Sequence, residues 1–125
     1  QKISSIQCFQ KSNIIWMKKY NLSQFTRGWF VGDFDPSIFR TKDIEVGVKH
    51  YKKGEIEPNS MHEKTWEITL VVSGSIKMYN QILTQGSIIL LEPGDISKFE
   101  CIEECALVIV KYPSNPSDKI LIDNN

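Results

Sequence analysis

The chain has 125 residues, 41% of them hydrophobic and 24% charged, enough for one globular domain with its own core and too few for two of ordinary size. Fifteen Lys plus Arg balance fifteen Asp plus Glu to a formal net charge of zero, so the basic footprint of a nucleic-acid binder is missing. The longest apolar runs, residues 88–91 and 106–110, fall far below the roughly 20 residues a membrane-spanning helix needs, which argues against a membrane partner.

Gln1-Lys2-Ile3 opens no apolar stretch leading to a cleavage site, and the three cysteines, Cys8, Cys101 and Cys105, are too few and too irregular for a disulfide scaffold. A reducing, cytoplasmic setting is therefore expected, with Cys105 as a buried, inert thiol. Residues 12–20 predict a short helix, capped by Ser12 and carrying Ile15, Trp16 and Tyr20 on one side. Residues 1–28 are read as an N-terminal segment, helical or irregular, that packs on the main domain or on a partner.

From Trp29 onward short β-branched and aromatic stretches alternate with Gly, Pro, Asn and Ser at the spacing of an all-β sandwich or barrel. Residues 44–51 alternate cleanly, with Ile44, Val46 and Val48 on the apolar face and Glu45 and Lys49 on the polar one, so they predict a half-buried strand. His50 shares the apolar parity and is expected in a core or interface. Residues 68–72, 88–91 and 106–110 are apolar at both parities, so both faces of those strands should meet something dry. A small barrel has one inside, so the other face needs a cover: the N-terminal segment, another sheet or a second copy. An uncovered face would be a large apolar patch, and a homodimer is expected. Gly54, Gly74, Gly86 and Gly94 fall between the strand candidates, and Pro93-Gly94 is the strongest turn signal. After Lys111 two closely spaced prolines take the chain out of the sheet. The domain is placed at residues 29–119, with 120–125 as a tail wrapping the surface.

The chemical interest lies in residues 54–74, where Gly54, His62, Glu67 and Gly74 recur at a distinctive spacing. The pattern resembles the first signature of the cupin superfamily, with Ser60 standing where the first histidine would be. The second signature is half present: Gly86 opens it, Gly94 sits at its turn glycine, Pro93 lies one place late, and Ser97 takes the place of its histidine. The resemblance implies an all-β fold, the cupin-type double-stranded β-helix or jelly-roll barrel. Thr65 and Glu67, and the ending with Asp118-Lys119, are similar to small single-domain cupins that often accompany sugar metabolism. In the family, two histidines separated by one residue point to one face and, with the Glu and a later His, hold a first-row metal. Here His62 and Glu67 alone remain, so the resemblance implies no cofactor or a weakly bound divalent metal.

Three readings of His62 and Glu67 stay open: a weak metal site, a metal-free proton-transfer pair in which Glu67 accepts a hydrogen bond from His62 and raises its pKa, or a structural pair without chemistry. If alternation continues from Glu67, then Thr69, Val71 and Ser73 share its face, as do Lys77 and Tyr79 beyond Gly74 unless that glycine breaks the register, giving a lining that is polar but uncharged overall. Trp66 is the candidate stacking wall. The sequence thus points to a small polar ligand, of carbohydrate type, bound by Ser60, His62, Glu67, Ser97, Trp66 and Lys77. The alternatives are a sugar or nucleotide-sugar isomerase or epimerase with His62 as base and Tyr79 as acid, and a weak divalent-metal enzyme.

Overall fold

The structure, a computed structural model, describes residues 17–123. Cys8, Ser12, Ile15 and Trp16 therefore lie outside the described residues. Residues 17–20 are irregular where a helix was expected, and Tyr20 is exposed. The helical feature among the described residues is a single 3-10 turn, Leu22–Gln24. Asn21 sets it: its side chain accepts from Ser23 N at 3.0 Å while its own N–H donates to Gln24 Oε1 at 2.6 Å.

Eight strands follow: β1 (Trp29–Val31), β2 (Glu45–Tyr51), β3 (Ser60–Met61), β4 (Trp66–Met78), β5 (Gln81–Thr84), β6 (Ile88–Leu91), β7 (Glu100–Tyr112) and β8 (Ile120–Leu121). The large sheet runs β1-β2-β7-β4-β5, with β6 also pairing on β4, and β3 pairs with β8 in a small second sheet. Every strand pair is antiparallel. Beyond the expected boundary at residue 119, β8 rejoins the fold: Ile120 and Leu121 pair with Met61 and Ser60, and Ile122 N donates to Asn59 O at 2.8 Å.

Residues of equal parity form rungs across β2, β7, β4 and β6. The inner rungs read Glu45–Lys111–Glu67–Leu91 and Gly47–Ile109–Thr69–Ile89, and the outer rungs Val46–Val110–Ile68–Leu90 and Val48–Val108–Leu70–Ile88. This inverts the expected orientation of β2. Its polar parity faces in, with Glu45 only 4% exposed, while Val46 and Val48 face out and His50 is exposed rather than in a core. Alternation separates two faces but does not say which is interior, and here the interior of that end is a polar cavity. Gly47 makes room on the inner face: a Cβ there would lie 2.6 Å from the Trp29 ring.

The apolar core closes the other end of the barrel. Val71, Ile76, Cys101, Cys105 and Leu107 are nearly or fully buried, with Met78, Phe99, Leu91 and Ile109 around them. The Cys105 thiol is pushed up to about 12, first by burial and then by the neighbouring Cys101 thiol, whose Sγ lies 3.4 Å away. That is the chemistry of an inert packing group. The outer apolar rungs stay partly open, with Ile88 at 70% and Leu90 at 49% exposure. No helix among the described residues is long and apolar enough to cross a membrane.

Candidate functional site

The barrel holds a cavity of about 590 Å³, and Ser60, His62, Glu67 and Ser97 all line it. Two strand ends and one turn bring them together. Ser60 and Ser97 form a reciprocal backbone bridge, with Ser97 N donating to Ser60 O at 2.6 Å and Ser60 N to Ser97 O at 3.2 Å. The turn at residues 92–95 adds a third link. Asp95 N closes it onto Glu92 O at 2.9 Å, Pro93 and Gly94 occupy its centre, and Gly94 adopts φ +92, as the second central residue of a type II turn requires. Gly94 N then donates to His62 O at 2.8 Å. The two partial motifs of the sequence are thus sewn to each other at the backbone.

His62 follows β3, and the loop after it is held by Asp118. This buried carboxylate accepts from Glu63 N, Lys64 N and Thr65 N at 2.9, 2.9 and 3.0 Å and from the Thr65 hydroxyl at 2.9 Å. Burial alone would raise its pKa, but these hydrogen bonds win and hold it at about 2. Asp118 fixes the path between His62 and Glu67 without belonging to the cavity lining.

His62 and Glu67 share the cavity but are not the hydrogen-bonded pair expected. Glu67 Oε2 accepts from Thr69 Oγ1 at 3.2 Å, and the buried His62 Nε2 has no hydrogen-bond partner among the described residues. Burial and the nearby Lys111 lower the pKa of His62, and Glu67 offsets this only in part. The imidazole is therefore neutral at pH 7, opposite in sign to the shift expected from a Glu partner.

Three further expectations are corrected. Trp66 turns outward and stacks on its cross-strand neighbour Tyr112, with ring planes 9° apart and centroids at 6.0 Å. Lys77 lies outside the cavity, because the β4–β7 register shifts three times between Val71 and Ile76; inward positions move from 67, 69 and 71 to Ile76 and Met78. Ser73 is exposed for the same reason. Tyr79 sits with Asn80 in the two-residue hairpin loop joining β4 to β5, both at positive φ, as a type I′ turn demands. It is 50% exposed and its hydroxyl donates to Ile96 O, so it cannot serve the cavity as an acid.

The lining carries ionic side chains of both signs, which balance overall. Arg27, Lys49, Lys111 and Lys119 face the cavity together with Asp35, Glu45, Glu57 and Glu67. Lys49 and Lys111 lie 5.9 and 4.7 Å from the Trp29 ring centroid, and Lys49 Nζ donates to Arg27 O at 3.0 Å. Tyr51 donates to Glu57 at 2.7 Å, and burial followed by that carboxylate pushes its phenol up. Burial lowers Lys111, while Glu67 and Glu45 counteract. The signal for this second set was present in the sequence, on the polar parity of β2 and at the end of β7, but the inversion of β2 hid it.

Among the described residues no three His, Cys, Asp or Glu side chains gather as a metal site. The donors at the remaining positions of the expected set are the hydroxyls of Ser60 and Ser97, poor ligands for a first-row metal. The residues do not fit a resident catalytic metal.

No family profile and no curated protein matches the sequence. Solved structures do. An uncharacterized conserved protein with a double-stranded β-helix domain from Klebsiella pneumoniae matches with a TM-score of 0.62 at 19% identity, covering 86% of this chain and 99% of that one. KdgF from Halomonas sp. matches with a TM-score of 0.56 at 16% identity over 61% of this chain and 74% of its own. A cupin domain from Schizosaccharomyces pombe matches with a TM-score of 0.51 at 12% identity over 58% and 57%. The chain has the fold of these proteins, the cupin double-stranded β-helix, and at such identities the likeness carries the fold and no activity.

Proposed function

We propose that the chain binds a small polar ligand of carbohydrate type in the barrel cavity, through Ser60, His62, Glu67 and Ser97 together with the ionic groups around Lys111. The observation that carries this reading is the His62 ring nitrogen, buried and without a hydrogen-bond partner among the described residues, beside a partly open cavity lined by both polar and apolar side chains. Leaving such a group unsatisfied costs about 1–3 kcal/mol, which a bound hydrogen-bonding molecule recovers. Thermal unfolding in the presence of a panel of sugars and sugar acids tests it. A binder should raise Tm in proportion to the logarithm of its concentration, and His62→Gln should weaken that shift at least tenfold in Kd. A panel that leaves Tm unmoved at tens of millimolar would sink the reading.

The homodimer belongs to the same proposal. Its support is the pair of outer apolar rungs, which end in the exposed Ile88 and Leu90 and include no charged side chain. Sedimentation equilibrium should give a dimer mass, and Ile88→Lys should return it to that of a monomer. A wild-type chain that sediments as a monomer at 100 micromolar, about the working range of such an experiment, refutes this part.

A further inference from the structure

From the inner rung of the sheet we infer that the cavity selects ligands bearing a single carboxylate, with the Lys111 ammonium as its point of recognition; this rests on the ligand-binding reading above. Lys111 stands at the centre of the rung Glu45–Lys111–Glu67, between two carboxylates on the neighbouring strands. Both carboxylates are engaged elsewhere: Glu45 Oε2 accepts from Ser114 Oγ at 3.0 Å and Glu67 Oε2 from Thr69 Oγ1 at 3.2 Å. Glu57, the third one nearby, accepts from Tyr51. The one ion pair among the described residues, Arg40–Asp33 at 2.9 Å, lies outside the cavity. The close neighbour of the ammonium is instead the Trp29 ring, centroid at 4.7 Å, which attracts a cation but offers none of its N–H groups a lone-pair acceptor.

Each of these carboxylates thus has one oxygen engaged by a donor, while among the described residues the Lys111 ammonium has no hydrogen-bond acceptor. Four basic side chains contribute to the lining, Arg27, Lys49, Lys111 and Lys119, and among the described residues Lys49 alone of these is hydrogen-bonded, to a backbone carbonyl. An incoming carboxylate supplies the missing acceptor and a charge-assisted bond of the stronger class. A neutral sugar supplies no counter-charge. Glu45 and Glu67 repel any anion placed at Lys111, and a phosphate dianion doubles that repulsion, so one negative charge is the better match. The free carboxylate lone pairs of Glu57 and Glu67 are left for ligand hydroxyls, which makes a polyhydroxy acid the class that uses the whole lining.

Calorimetric titration of the full chain with gluconate, glucose, glucosamine and glucose 6-phosphate reads this directly. Gluconate should bind at least tenfold more tightly than the other three. Lys111→Met should cost gluconate at least tenfold in Kd, and Lys111→Arg should retain most of the affinity. Because the comparison of the four probes is made on the unaltered protein, it stands even if Lys111→Met does not fold. Glucose binding as tightly as gluconate, or glucose 6-phosphate binding more tightly, overturns the inference and leaves ligand binding intact. Failure of all four to bind overturns both.

Discussion

Replacing Gly74 by Ala should cost about 3–5 kcal/mol of stability, the sum of a left-handed backbone forced on a residue with a Cβ and a steric clash that cannot relax. Gly74 has φ +78, and a Cβ there would lie 2.0 Å from Glu104 O and 2.7 Å from Cys105 Cα. Both obstacles are backbone of β7, so no side chain can swing away. Urea unfolding measures the effect, and a loss below about 1 kcal/mol would mean that the two strands separate here with little resistance. The position matters because of what the chain does around it. The shifts in register between Val71 and Ile76 bring Ile76 and Met78 into the interior in place of Lys77. A variant that refolds with a regular ladder here would present Lys77 and a different cavity wall, so the same substitution should also abolish ligand-induced stabilisation.

That irregularity shows where the sequence could be read and where it could not. Strand rhythm and the turn at Pro93-Gly94 sufficed for an all-β sandwich or barrel, because each reflects a local demand, alternation or a positive φ, and the cupin resemblance carried by Gly54, His62, Glu67 and Gly74 supplied the double-stranded β-helix. Ser60, His62, Glu67 and Ser97 were placed together by the resemblance to the two cupin signatures, and they do line one cavity. Lys77 and Tyr79 failed because extrapolated alternation assumes an unbroken ladder, and register is set by the partner strand β7, which is distant in sequence. For Tyr79 a local clue existed in Asn80, a residue that tolerates the left-handed conformation a hairpin turn needs. Glu45, Lys49 and Tyr51 were overlooked for a different reason. The polar parity of a strand is ordinarily the solvent side, and a barrel enclosing a polar cavity reverses that rule at one end only. The same reversal accounts for the outer rungs of Val, Ile and Leu, whose apolar character was legible from the start.

Asp118→Asn should be the second severe substitution, and its penalty should depend on pH. The aspartate oxygens receive three backbone N–H groups and the Thr65 hydroxyl, and Thr65 is only 2% exposed. An asparagine that sets its one oxygen in the place of Oδ2 keeps Lys64 N and the two Thr65 donors, and turns its NH₂ toward Glu63 N, which is exposed and can turn to water. What is lost is the negative charge that strengthens the three remaining bonds, about 1 kcal/mol each. The expected total is about 2–4 kcal/mol at pH 7. The carboxyl is depressed from its ordinary 3.8 to about 2. Its stabilisation is therefore complete above 3.8 and fades as pH falls toward 2. Urea unfolding at pH 7, 5, 3 and 2 should show the wild-type advantage over Asp118→Asn shrinking within that window and nowhere above it. An advantage constant down to pH 2 would mean that the ionised carboxylate is not what holds the loop. Because this loop sets the path from His62 to Glu67, gluconate binding in Asp118→Asn should weaken at temperatures where the variant is still folded. Loss of affinity ahead of loss of fold would mark Asp118 as a positioning residue for the cavity, whereas a purely structural role would let the two fail together.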